Sequence, residues 1–271
     1  QTMIAPSLTW RPSADTSLTV QAHYQKDDPR MSPRFYPVVG SHVPSPVFGY
    51  IPRSLYLGEP STDSFNRSYK SLGYGFEHRF NDTVSVRQNL RYGHAEQDMF
   101  LVRVHPFNAY QPDGHTLNRV SAISDDDIRS LSVDTQLEAR LRTGPLAHTL
   151  LAGVDHLRGK LSFNFANSAI GVPPLDLLNP VYGLPVTRPS SYTNSTFQAV
   201  RQTGLYLQDQ IRWGRAIATL GLRHDRSSID TTNRMLAARP VVPTEDSATT
   251  GRIGLGYVFD NGVAPYASYS T

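Results

Sequence analysis

Nine histidines, a run of three aspartates and several glycines are the residues of this chain whose types could carry chemistry. The histidines are scattered, and no pair has zinc-like spacing backed by a carboxylate. Asp125, Asp126 and Asp127 offer hard oxygen ligands to a cation, but three adjacent acids read more simply as a solvated strand end. Gly73, Gly75 and Gly93 follow strand spacing rather than phosphate-loop spacing, and there is no nucleophile elbow. With 0 cysteines the chain has neither a disulfide framework nor a thiolate metal site. Lys+Arg at 26 against Asp+Glu at 23 gives a net charge of +3, too mild to argue for nucleic acid. Catalysis is poorly supported, so the chemistry to look for is binding.

The elements that would position such residues are strands. Gly75 to Tyr92 reads GFEHRFNDTVSVRQNLRY. Before its turn Leu72, Tyr74, Phe76, His78 and Phe80 share one face. After it Val84, Val86, Leu90 and Tyr92 do, opposed by Ser85, Arg87, Asn89 and Arg91. A side-chain period of two means β-strand, and Asn81 and Asp82 supply the turn. The same alternation runs through Met3–Arg11, Thr16–Asp27, Leu131–Arg142, Ala147–Phe163, Gln198–Trp213, Ala216–Asp230 and Asp246–Phe259, with a further strand starting at Val263. Arg119–Asp127 reads as the extended start of a strand. Tight turns are expected at Pro12–Asp15, Thr143–Pro145, Gly214–Arg215 and Asp260–Gly262. Long Pro- and aromatic-containing connections are expected at Asp28–Asn66, Phe100–Leu117 and Asn164–Phe197, with a further one at Thr231–Glu245.

About ten strands joined by alternating short and long connections is the pattern of an antiparallel transmembrane β-barrel. Trp10, Tyr24, Phe80, Tyr92, Trp213, Tyr257 and Phe259 sit near strand ends, as an interfacial girdle would. The competing fold is a soluble β-sandwich, which would carry charges such as Glu138, Arg140 and Arg142 only on its outer face. No apolar run approaches the ~18 residues of a membrane helix, but barrel strands give no such signal. The first residues, QTMIAPSLTWRPSAD, lack the pattern of a secretory leader. The chain is then either mature or the continuation of something longer.

GFEHRFNDTVSVRQNLRY, SVDTQLEARLRTGPLAHTLLAGVDH (Ser132–His156), QTGLYLQDQIRW (Gln202–Trp213), LGLRHD (Leu220–Asp225) and YVFDNGVAPYASYST (Tyr257–Thr271) resemble TonB-dependent siderophore receptors, the ferrichrome-type hydroxamate receptors above all. IPRSLYLGEP (Ile51–Pro60) and VPPLDLLNPV (Val172–Val181) are similar too, and fall inside the long connections. The resemblance implies a plugged barrel of about 22 strands. This chain would be its early-to-middle part, residues 1–271, with the plug domain and the C-terminal strands outside it. It implies a multi-pass protein of the Gram-negative outer membrane, in contact with lipid and monomeric when complete. It would take up a ferric siderophore with energy from TonB–ExbB–ExbD, contact no nucleic acid, and need no cofactor of its own, because iron arrives already chelated.

The same resemblance marks ligand-facing positions. Phe35 and Tyr36 match aromatics of the first long loop. Arg103 and His105 fall where the family places aromatics in the second, so a cation and an imidazole replace phenols, a change that favours a more anionic ligand. Phe163 and Phe165 lie by the aromatic pair of the third. For each, loop packing is the competing role. Arg87, Arg91, Glu138, Arg140, Gln208 and Arg212 are expected to face a plug or water rather than ligand. A passive porin and a soluble all-β binding module are the alternative functions, with vitamin B12 or oligosaccharide import a variant of the first reading.

Overall fold

Side chains that alternate between apolar and polar leave a pleated ladder as the arrangement that sorts them. The computed structural model, which describes residues 1–29 and 35–271, is built that way, with no helix among the described residues. Its strands are β1 (Thr2–Ile4), β2 (Ser7–Ser13), β3 (Thr16–Asp27), β4 (Ser64–Arg79), β5 (Val84–Val104), β6 (Thr116–Leu117), β7 (Arg119–Thr143), β8 (Leu146–Ser168), β9 (Leu175–Asp176), β10 (Asn194–Trp213), β11 (Ala216–Asn233), β12 (Val241–Tyr257) and β13 (Tyr266–Ser270).

All but β6 and β9 form one antiparallel meander in which each strand pairs with its sequence neighbours. β1 and β2 both pair with β3, so they act as one strand broken at Ala5–Pro6, and the ladder has the expected ten positions. The tight turns lie at one end. The Asn81 carboxamide accepts the backbone N–H groups of Thr83 (2.8 Å) and Val84 (2.9 Å), which closes the β4–β5 turn. Gly144 (φ 59°) and Gly214 (φ 54°) supply the left-handed residue of the β7–β8 and β10–β11 turns, a conformation that favours glycine.

Register lines up the two faces across the sheet. One row runs Val86, Leu137, Ala152, Leu207, Leu222; a row on the other face runs Asn89, Asp134, Asp155, Gly204, Asp225. The apolar face is not covered: Leu207 is 54% exposed and Leu222 59%, so no second sheet packs on it. That removes the sandwich, whose greasy face would be its core. The polar face is indented by a trough of about 920 Å³ whose wall includes Ser71, Asn89, Arg91, Asp134, Asp155 and Gln202.

The hydrophobic core lies instead at the long-loop end. Ile51, Leu57, Val104, Leu117, Leu175 and Leu177 pack together there, with Phe48, Leu55, Ala109, Tyr110 and Tyr182 against them. The three long connections thus share one core, and the short β6–β9 ladder ties the second to the third.

Several expected boundaries move. β5 runs on to Val104 rather than ending near Met99, β8 to Ser168 rather than Phe163, and β12 begins at Val241 rather than Asp246. At the first of these, Leu101, Val102 and Val104 on β5 face Val120, Ala122 and Ile123 on β7 and all are buried, because loops cover this end of the sheet on both sides. Burial on both faces abolishes alternation, so the strand extension reads as a connection in the sequence. The last strand starts at Tyr266 rather than Val263, and the turn before it is a wider loop.

Candidate ligand site at the loop end

The polar wall is built by a repeated device. The Tyr206 hydroxyl on β10 reaches Asp134 on β7 (2.6 Å) by lying across Gly153 on β8, where a Cβ would occupy the position of the ring. Arg223 on β11 reaches Asp155 on β8 (2.7 Å) across Gly204 on β10 in the same way, and Arg252 on β12 reaches Gln208 on β10 (2.6 Å) across Gly221 on β11. Each glycine is a slot through which a long side chain spans three strands and lies flat. Lower on the wall, Glu138 receives Arg87 at 2.7 Å and Arg140 at 2.9 Å. These polar side chains therefore satisfy one another along the wall.

Above the trough, toward the long loops, the same face turns aromatic. Arg103, near the end of β5, has the orientation of Arg87 and Arg91. Its guanidinium carbon lies 5.5 Å from the centre of the Phe35 ring and 5.8 Å from that of Phe165, both within cation–π range. Phe165 stacks on Phe163, with centroids 6.3 Å apart and planes 9° apart. Four of the six residues singled out in the sequence thus form one row drawn from three elements: the first loop, β5 and β8. Tyr36 follows Phe35 in the loop and is 37% exposed.

His105 is engaged locally. Its Nδ1 accepts the backbone N–H groups of Phe107 (3.3 Å) and Asn108 (3.1 Å), which caps the turn after β5, and its ring meets Phe107 edge-on. Phe107 itself, 95% exposed at the tip of this loop, was not singled out; its exposure is a matter of loop path, which local sequence does not carry.

Arg103 makes no ion pair or hydrogen bond among the described residues, and its Nε is buried without a partner. Burial pushes its guanidinium below the usual arginine range, far from losing its charge. On the same wall, burial raises the Asp126 carboxyl, against hydrogen bonds from Ser124. The three adjacent aspartates are divided by the pleat: Asp126 meets Gln97 on the polar face (2.9 Å) while Asp127 meets His94 on the other (2.7 Å). They therefore do not converge on one cation. His94, Glu96 and Asp127 do cluster, but on the face away from the trough, where Lys70 lies 3.5 Å from Glu96 and Arg129 3.0 Å from Asp127.

Behind the aromatic row lies a charge network that the sequence reading missed. Arg119 and Glu59 are fully buried, 3.5 Å apart. Arg119 also donates to the carbonyls of Gly58 (2.7 Å) and Pro173 (2.8 Å), and Glu59 accepts the Gly183 N–H (2.8 Å). Burial lowers the Arg119 guanidinium and the Glu59 carboxylate opposes that shift. Asp63, raised by burial, accepts the Tyr56 hydroxyl (2.6 Å) and the Val102 N–H (2.7 Å). The pair spans the first loop and the start of β7, over the third loop. No periodicity marks a contact between residues 60 positions apart. The result, among the described residues, is a mouth that brings rings together with the Arg103 guanidinium, the kind of groups that hold a rigid organic ligand.

Residues 9–271 match the family described as TonB dependent receptor-like, beta-barrel. The chain is 35% identical to the ferrichrome outer membrane transporter/phage receptor of Escherichia coli K12, over 98% of this chain and 38% of that protein. It is 36% identical to the ferrioxamine B receptor of Salmonella typhimurium SL1344, over 99% of this chain and 37% of that protein. It therefore spans a little over a third of these relatives. Among solved structures, the ferric-catecholate import receptor Fiu of E. coli K12 in its open form superposes with a TM-score of 0.82 at 16% identity, covering 99% of this chain and 46% of that one. The siderophore receptor PiuA of Acinetobacter baumannii superposes with a TM-score of 0.81 at 17% identity, covering 99% and 41%.

Proposed function

The chain belongs to the TonB-dependent receptor β-barrel family, and from that premise we propose that it forms barrel wall and extracellular loops of a Gram-negative outer-membrane receptor for a ferric hydroxamate siderophore. The observation that carries this reading is the row Phe35–Arg103–Phe165–Phe163 set over a polar trough and backed by loops with their own core. Support for the ligand class comes from the relatives named for ferrichrome and ferrioxamine.

The apolar face supports the membrane placement. On β10 it runs from Trp213 through Ile211, Leu207 and Leu205 to the level of Arg201, about the length of strand that crosses a bilayer, interrupted by Asp209, which is bonded to His148 on β8 (2.7 Å). Tyr92 on β5 lies level with Arg201, and Phe80, Trp213 and Tyr257 mark the opposite, tight-turn end. Arg103 sits well beyond the apolar belt, on the side of the long loops.

In this reading the mouth captures the chelate through ring contacts and the guanidinium. Passage would need work delivered through TonB and ExbB–ExbD, since a rigid wall with mutually satisfied polar groups has no energy source. Iron is cargo, held by the siderophore, and no covalent step is required of the protein, which acts as a monomer.

The test is uptake of radioactive iron, as a ferric trihydroxamate, by cells that make the complete protein, with and without TonB. Uptake that depends on both supports the reading, and Phe165→Ala lowers binding by about tenfold through the lost aromatic contact. Unchanged uptake when the protein is deleted, together with no chelate binding by the purified receptor, overturns it.

A further inference from the structure

Arg103 stands out at the mouth. Other arginines toward this end have polar partners: Arg119 has Glu59 at 3.5 Å, Arg188 has Asp98 at 3.7 Å, Arg67 has Asp27 at 3.8 Å and Arg234 has the Ser162 hydroxyl at 2.8 Å. Arg103 has none among the described residues. It is partly withdrawn from water and held against Phe35 and Phe165. A desolvated charge without a counter-charge is unfavourable, and an arriving anion relieves it.

The geometry also selects the kind of anion. A guanidinium lying against rings keeps its in-plane N–H groups for a partner, and a carboxylate meets two of them in parallel. A ferric ion held by three hydroxamates is electrically neutral, so such a chelate offers Arg103 only weakly charged oxygens. A chelate of the same kind that also bears a free carboxylate outside the iron's coordination sphere offers the full counter-charge.

We propose that this receptor prefers ferric hydroxamate chelates bearing a free carboxylate, and that Arg103, held between Phe35 and Phe165, is the residue that reads that charge. The proposal rests on the siderophore reading above and narrows it. A bland ring-lined mouth would bind neutral and anionic chelates alike. A mouth whose aromatic row holds the Arg103 guanidinium without an acid among the described residues does not.

The experiment uses the complete receptor in detergent and two ferric trihydroxamates that differ only in one group, a free carboxylate or its primary amide. Binding is followed by titration calorimetry. The carboxylate form is expected to bind about tenfold or more tightly than the amide, the size of a charge-assisted bidentate contact. In Arg103→Gln the two are expected to bind within about twofold of each other, the carboxylate form losing far more affinity than the amide, and retained binding of both shows that the variant is folded. Arg103→Lys is expected to keep part of the preference, because the charge survives and the planar fork does not. Equal affinity of the two chelates for the unmodified receptor, or a preference that persists in Arg103→Gln, overturns this proposal and leaves the uptake reading standing. Failure of both chelates to bind overturns the uptake reading as well.

Discussion

Arg119 and Glu59 show how single residues hold the mouth. Both are fully buried, and each also bonds to the backbone of loops far away in the chain. Taking away one partner strands the other charge, which costs about 3–5 kcal/mol. Arg119→Met is therefore expected to loosen the first and third loops, read as much faster limited proteolysis within residues 35–63 and 169–193. Replacing both charges, as in Glu59→Leu with Arg119→Met, is expected to recover much of the resistance, because well-packed apolar groups replace a buried ion pair without that penalty. Loops that stay equally resistant in Arg119→Met would show that the apolar cluster alone locks them. At this scale the sequence was a partial guide. It pointed to Phe35, Arg103, Phe163 and Phe165, which the fold brings into one row, and to His105, whose Nδ1 caps a turn. It gave no sign of the buried pair, because a charge at a strand start looks solvated until loops are seen to cover it.

Among the elements, the β8–β10–β11–β12 wall depends on its glycine slots. Valine at position 153 would put its Cβ where the Tyr206 ring lies and expel that ring from Asp134. Gly153→Val is expected to destabilise the folded receptor by about 1–3 kcal/mol, as overpacking does, read as a lower urea midpoint in detergent. Gly159→Ala is the control: a Cβ there meets Val200 at 3.7 Å, an ordinary contact, so its midpoint is expected to stay near that of the parent. Equal losses in the two would mean that strand glycines matter for backbone reasons and not as slots. Strand alternation was legible residue by residue, and nearly every strand sits where the period of two put it. The extension of β5 was not, because burial on both faces erases that period; that of β8 was not, because residues 164–168 carry no apolar alternation of their own.

For the whole molecule the decisive feature is which face meets lipid. Leu207 projects from the uncovered apolar face and Gln208 from the polar face, one residue apart. Leu207→Arg is expected to weaken folding into lipid vesicles by about 2–4 kcal/mol, as a charge near the bilayer centre does. Gln208→Glu is expected to have a small effect, since its side chain stays on the wet side and its carboxylate still accepts from Arg252. A reversed order of the two would place the trough against lipid and undo the membrane reading. Several polar side chains on the apolar face are paired across strands: Gln88 donates to Thr135 at 2.9 Å, His156 and His224 bond Thr203 (2.9 Å) and Thr249 (2.8 Å), and His148 bonds Asp209 (2.7 Å). Pairing is what lets such groups sit against hydrocarbon.

The sequence by itself determined the antiparallel strands, the side of the short turns, and the sorting of side chains into an apolar and a polar face. All of these are local consequences of the pleat and of turn chemistry. Its quoted segments also carried the family resemblance, and the match over residues 9–271 bears that out. Only the tertiary structure decided that the core lies in the loops rather than beneath the sheet, that three connections form one body around Glu59 and Arg119, and that Arg103 lies against rings with no acid among the described residues. The physical reason is one of range. Alternation records what each residue meets on either side of its own strand, whereas burial and charge pairing depend on which distant segments arrive, and loop paths are fixed by contacts between residues that no local pattern links.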